Sequence, residues 1–146
     1  MWQEWTLAIL HVSAFLALVV FLSGQISLCR PQWWNEAVLQ RLKRLNMLYW
    51  GSVLAVILSG LARAAFGVKG WTFYAEQPIF WFKLCSFIAL SLMSLRVNAA
   101  YRRWSANAFM DAQGIDALRR WMMVQAHIMM LFPLLGLMLA YGLGVK

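Results

Sequence analysis

Acidic side chains are scarce in this sequence. Of its 146 residues, 5 are Asp or Glu against 13 Lys or Arg, and the acids lie outside the long apolar runs. That shortage excludes a paired-carboxylate acid–base site within those runs. Cysteine is nearly absent too. Cys29 and Cys85 are expected at opposite ends of the apolar layer, beyond the roughly 4.4–6.8 Å Cα reach of a disulfide, and no Cys-rich metal motif accompanies them. There is no phosphate-cradling glycine loop, no Ser/His/Asp set, no internal repeat and no low-complexity tract. The lack of repeats or broken helices argues against a small transporter.

What abounds is apolar surface. The chain is 63% hydrophobic and 15% aromatic, with only 12% charged residues, well away from soluble averages of about 45–50% apolar and 25% charged. The composition describes one integral membrane domain with the lipid bilayer as its surroundings. A net charge of +8 could suggest nucleic acid, but the basic residues cluster in short stretches between apolar runs, as in cytoplasmic loops facing anionic lipid. Nucleic acid is therefore not expected as a partner.

Four apolar spans follow. Trp5 to Leu28 contains no ionised side chain and is long enough for a hydrocarbon core of about 30 Å. It ends at Arg30-Pro31. The opening Met-Trp-Gln-Glu-Trp lacks a basic stretch and no small-x-small cleavage pattern follows, so this span is expected to be retained rather than removed as a signal peptide. From Asn35 to Leu45, Val38, Leu39, Leu42 and Leu45 alternate at helical spacing with Gln40, Arg41, Lys43 and Arg44. This predicts a short interfacial amphipathic helix running into span two, about Leu45 to Phe66. There Gly51, Ala55, Ser59 and Arg63 recur every four residues, a strip suited to close helix packing.

The segment Gly67 to Pro78 is a glycine-hinged aromatic cap carrying Trp71, Phe73, Tyr74 and Glu76. Span three runs from about Ile79 to Ala100. Tyr101 to Arg120 reads as a water-facing loop with a short helix. Span four is Trp121 to about Val145, with Pro133 predicted to kink it and Gly136, Ala140 and Gly144 at four-residue spacing. The expected architecture is all-α, a four-helix transmembrane bundle with one short interfacial amphipathic helix. Nine basic residues fall at the first and third loops when Arg96 is included, against four on the other side, so both termini are expected to be non-cytoplasmic.

With that topology, His11, Arg63, Lys83 and Tyr141 come from four spans to a similar depth in the non-cytoplasmic leaflet. An imidazole or charge at such depth marks a functional-site candidate, although lysine and arginine near span ends also snorkel. A cationic pocket beneath Trp71, Tyr74 and Trp81 suits a flat apolar ligand with acidic edges: haem b or another porphyrin, or a quinone. His11 is the candidate haem-iron ligand. Arg63 and Lys83 would meet carboxylates, and Tyr141 completes the candidate cofactor site. His127 is expected at the opposite face beside Gln25 and Asn98, as a second metal ligand, a proton relay, or an interhelical hydrogen-bond partner. It lies too far from His11 for one iron to take both. The nine methionines are scattered and read as span filling rather than a copper relay.

Several segments together resemble a known family: Arg30-Pro31, Arg41-Leu-Lys-Arg-Leu before Tyr49, Gly60-Leu-Ala-Arg63, Phe66-Gly-Val-Lys-Gly70, Phe73-Tyr74, Phe80-Trp81-Phe-Lys83 and Gly142-Leu-Gly144. They are similar to the bacterial membrane proteins labelled domain-of-unknown-function family 2214, over nearly the whole chain. Gln77 stands where that family suggests asparagine, and no proline lies near Leu95. The resemblance implies the bacterial inner membrane and no assigned activity. His11 and Lys83-Leu84 also resemble the HemJ-type protoporphyrinogen oxidases and CopD-like membrane proteins. That likeness implies haem-assisted porphyrin oxidation, an oxidoreductase with His11 on iron and Lys83 on a propionate. A reading of another class is a non-catalytic subunit of a larger membrane complex, or a homo-oligomer, joined through the Gly51/Ala55/Ser59 and Gly136/Ala140/Gly144 strips.

Overall fold

A computed structural model describes residues 2–106 and 111–141. Helix α1 covers Trp2–Leu28, α2 Glu36–Phe66, α3 Gly70–Ala75, α4 Pro78–Ala106, α5 Ala112–Met129 and α6 Phe132–Ala140, with a 3-10 turn at Pro31–Trp33. Among the described residues, four stretches are long and apolar enough to cross a membrane: Glu4–Leu28, Glu36–Phe66, Pro78–Trp104 and Ala112–Met138. The chain is an all-α, four-span bundle with an additional short helix.

α1 and α2 form an antiparallel hairpin whose seam closes on two glycines. A Cβ at Gly24 would meet Leu45 at 3.3 Å, and one at Gly60 would meet the His11 ring at 3.1 Å. Between them Leu18, Leu22, Tyr49, Val53 and Val56 are buried and join Phe87, Leu90 and Met122 in one core. The amphipathic stretch after Asn35 is not a separate element. The Asn35 side chain accepts a hydrogen bond from the Val38 N–H at 2.9 Å, and one unbroken helix runs from there to Phe66. At 31 residues and about 1.5 Å each, α2 exceeds the hydrocarbon thickness by several turns. Its first turns bury Val38, Leu39 and Leu42 against the bundle rather than in lipid.

The segment expected as a water-facing loop, Tyr101 to Arg120, is mostly helical. α4 continues through Ala106 and α5 begins at Ala112, where the Asp111 carboxylate caps the Gly114 N–H at 3.1 Å. Tyr101, Trp104, Ile115 and Leu118 are buried at three-residue spacing, while Arg102, Arg103 and Arg120 remain exposed. This end is tied down by the edge-on Trp34–Trp104 pair at 4.4 Å and by Arg119 Nε, which donates to the Ile26 carbonyl at 3.2 Å in the last turn of α1. There cationic side chains also complement the helix dipole.

Span four breaks as its proline predicts. α5 ends at Met129 and α6 restarts at Phe132, with Pro133 in its first turn, where a missing N–H costs least. Gly142 to Val145, including Gly144 of the expected small-residue strip, lie outside the described residues.

The core is polar at its centre. Gln125, fully buried, donates to the Tyr49 hydroxyl at 2.8 Å and the Leu90 carbonyl at 2.9 Å, and accepts from Ser94 at 3.1 Å. Three spans meet at that amide. Further along α4, the Tyr101 hydroxyl donates to Gln25 at 3.2 Å. In lipid, such bonds hold helices together because the unpaired groups would find no water.

Candidate functional site

His11, Arg63 and Lys83 come together. His11 Nδ1 lies 3.0 Å from the Ser59 hydroxyl, which itself donates to the Ala55 carbonyl of its own helix at 2.6 Å. Because the hydroxyl proton is committed there, Ser59 accepts from the ring, and Nδ1 is the protonated nitrogen. The ring rests on Gly60, where any larger residue would crowd it. On α4, the Lys83 ammonium lies over Gly136 of α6, 3.0 Å from where a Cβ would stand. All three side chains are half-buried.

The charges acting on His11 are those of Lys83 and Arg63, and the charge acting on Lys83 is that of Arg63. Glu76, expected to cover the pocket, is exposed and is not among them. Like charges at reduced dielectric repel. A concentration of positive charge at this level of the bundle has therefore been built without a compensating acid among the described residues.

The aromatic cap sits beside this cluster. Gly70 adopts φ +73°, a left-handed conformation that suits glycine, and starts α3. The Trp81 indole donates to the Ala75 carbonyl at 2.9 Å. Phe80 lies edge-on to Trp71 at 6.1 Å and to Trp81 at 5.4 Å between ring centres, and is buried against Ala64 of α2. The cap thus ties α2 to α4 within one turn of Arg63 and Lys83. Glycine and tryptophan spacing had pointed to it.

Two expected site residues are placed elsewhere. Tyr141, at the last described position, is 76% exposed, and its ring turns outward rather than joining the cations. His127 is neither at the far face nor bonded between helices. Because α5 begins at Ala112, fifteen residues earlier, His127 lies about 22 Å along it, two residues past Gln125 at the centre of the bundle. Its ring is exposed and its Nδ1 lies 2.7 Å from the Met123 carbonyl of its own helix.

The small-residue strip on α2 divides. Each four-residue step turns about 40° around a helix of 3.6 residues per turn, so Gly51 and Arg63 point about 120° apart. Ser59 and Arg63 face the cluster, whereas Gly51 and Ala55 are exposed, and a Cβ at Gly51 would meet nothing within 4 Å. Gly60, on the side that His11 uses, was the glycine that mattered.

The whole chain, rather than the site alone, matches a known sequence family. Residues 3–144 fit the family described as Predicted membrane protein (DUF2214). The chain belongs to that family. With its four spans it is a multi-pass bacterial membrane protein. No curated protein and no solved structure matches it.

The DUF2214 chain offers one imidazole for a metal at this site. Among the described residues, no group of three or more His, Cys, Asp or Glu side chains comes together. A bare ion would find too few ligands here. A macrocycle that carries its own nitrogen donors would require a single imidazole. The residues fit that demand: Ser59 holds Nδ1, which would leave Nε2 to such a group, and Arg63 and Lys83 would meet its carboxylates.

At the other end of the bundle, the Cys29 thiol contacts the Ile115 carbonyl at 3.8 Å. Burial pushes it up to about 12, a shift that Asp116 favours and Arg119 opposes. Cys29 is structural, a small buried hydrophobe.

Proposed function

We propose that this DUF2214 protein binds a carboxylated tetrapyrrole, haem b or a porphyrin, in the leaflet that holds His11, and takes part in its redox chemistry. The observation that carries the reading is the convergence of His11, Arg63 and Lys83 from three helices, with the charges of Lys83 and Arg63 acting on His11 and that of Arg63 on Lys83. Arg63 and Lys83 neutralise carboxylates that otherwise resist entering the membrane. Ser59 fixes the imidazole plane, and the aromatic cap excludes water above it. Haem, when bound, supplies one-electron chemistry. The likeness of His11 and Lys83-Leu84 to the HemJ-type and CopD-like proteins favours the same ligand class. The balance of basic residues between loops favours an inner-membrane protein with both termini outside the cytoplasm and the site in the non-cytoplasmic leaflet.

Oxidised and dithionite-reduced optical spectra of the protein in mild detergent, supplied with haem, test the reading. A sharp Soret band with b-type reduced peaks is expected, bleached in His11→Ala. A His11→Ala protein that keeps its full haem spectrum removes it.

A second reading is an assembly role, as a homo-oligomer or a non-catalytic subunit of a larger membrane complex. It rests on the exposed His127 at mid-bundle depth, flanked by exposed Val124 and Ile128, because an imidazole facing lipid is costly. The open Gly51–Ala55 face is suited to another helix. Purification in mild detergent discriminates, since a solitary monodisperse chain counts against it.

A further inference from the structure

A cavity lies between α2 and α4, away from His11. Its residues Asn46 and Trp50 stand thirteen and nine positions before Ser59 on α2, about 20 and 14 Å along the helix. The cavity measures about 460 Å³ and is lined by Lys43, Asn46, Trp50, Asn98, Tyr101 and Arg102 among others, a volume in the range of small-ligand sites. It opens at the end of the bundle that carries the basic loops.

Its wall holds two unsatisfied polar atoms. Asn46 is 94% buried, since only 6% of its surface is exposed. Its amide donates weakly to Asn98 at 3.4 Å, while its Oδ1 has no partner. The indole Nε1 of Trp50, one turn further, has none either. A buried donor or acceptor left unpaired is costly, and two in one wall are unusual in a native bundle. Both atoms belong to residues that line the cavity, the space beside them from which a partner can come.

The partner's chemistry follows from the lining. Lys43 and Arg102 bring positive charge, and no acidic side chain lines the space. Trp50 offers a donor, which suits an anionic or ester oxygen. Asn46 Oδ1 needs a donor, which a phosphate diester lacks and a hydroxyl supplies. We infer that the cavity between α2 and α4 binds a phosphate group carrying an adjacent hydroxyl, its phosphate held by Lys43 and the Trp50 indole and its hydroxyl donated to Asn46. Phosphatidylglycerol in the leaflet beside the basic loops has that headgroup, and basic pockets between spans are suited to anionic lipid. Free glycerol phosphate has the same groups.

The test measures thermal unfolding of the full chain in dodecylmaltoside with added dioleoylphosphatidylglycerol, dioleoylphosphatidylmethanol, dioleoylphosphatidylcholine or sn-glycerol 3-phosphate. Native mass spectrometry counts retained lipid in parallel. Phosphatidylglycerol near saturation is expected to raise the midpoint by about 5 °C or more, with one lipid retained per chain. Phosphatidylmethanol, equal in charge but without the hydroxyl, should give less, and phosphatidylcholine little. Lys43→Gln and Trp50→Phe should each lose most of the shift and the retained lipid. An equal shift with glycerol 3-phosphate would support the site with a soluble ligand. Equal shifts with phosphatidylglycerol and phosphatidylcholine, or full retention of shift and lipid in both variants, would overturn it. Equality of phosphatidylglycerol and phosphatidylmethanol would overturn the hydroxyl contact to Asn46.

Discussion

The imidazole of His11 rests on the backbone of Gly60, with a would-be Cβ only 3.1 Å from Cε1. That contact sets how closely α1 approaches α2 and holds the ring within reach of Ser59. Gly60→Ala should be accommodated by a few tenths of an ångström. Gly60→Leu overfills the seam, should cost about 1–3 kcal/mol, and should push the ring from Ser59. In the haem-supplied protein, the leucine variant is expected to lose most of its Soret intensity while eluting as wild type. An unchanged spectrum would detach Gly60 from the site.

The spans were legible in the sequence because about twenty apolar residues in a row have few alternatives. The cluster was legible because counting rise per residue places His11, Arg63 and Lys83 at one depth. Two things were hidden. The arginines at 102, 103, 119 and 120 mask the helical recurrence of Tyr101, Trp104, Ile115 and Leu118, so a mostly helical stretch reads as a loop with a short helix and His127 reads as nearer the far face than it lies. Four-residue recurrence also suggested one face for Gly51 through Arg63, where the 40° drift per step sends Gly51 outward. Gln125 was missed although it carries a signal: an amide in an apolar span seldom faces lipid.

The two cations make a prediction about carboxylates. Wild-type protein should bind deuteroporphyrin at least about ten-fold more tightly than its dimethyl ester, because one charge-assisted hydrogen bond is worth about 1.5–3 kcal/mol. Lys83→Gln and Arg63→Gln should each narrow that preference. Fluorescence titration reads both affinities, and an ester that binds as well as the acid would assign Lys83 and Arg63 to the headgroups instead.

His127 should be spectrally silent. Its ring is turned outward and bonded to the Met123 carbonyl, so His127→Ala is expected to leave any haem spectrum intact. If His127 sits at a contact between chains, the same variant should shift the oligomer distribution seen by light scattering. A changed spectrum would place His127 near the ligand.

Cys29 should resist labelling. A thiol is the neutral form below its pKa, and burial pushes that of Cys29 up to about 12, so almost no thiolate exists at pH 8. In a Cys85→Ala background, a water-soluble maleimide at pH 8 is expected to leave the folded protein unmodified and to add one label once it is unfolded in dodecyl sulfate. Rapid modification of the folded chain would mean that the Cys29–Ile115 contact opens readily.

The Gln125 amide joins α5 to α2 and α4 through Tyr49, Leu90 and Ser94, and its loss should be felt as stability rather than as ligand binding. Gln125→Leu keeps the volume roughly but removes the amide that bridges the Tyr49 hydroxyl, the Ser94 hydroxyl and the Leu90 carbonyl at the centre of the bundle. Interhelical bonds in membranes are worth about 0.6 kcal/mol on average and up to about 1.7, so the loss of three should cost about 2 kcal/mol. Tyr49→Phe removes the hydroxyl that has lost its amide donor. The double variant should therefore recover part of that loss in thermal unfolding, and strict additivity of the two would show that the amide and the hydroxyl act independently.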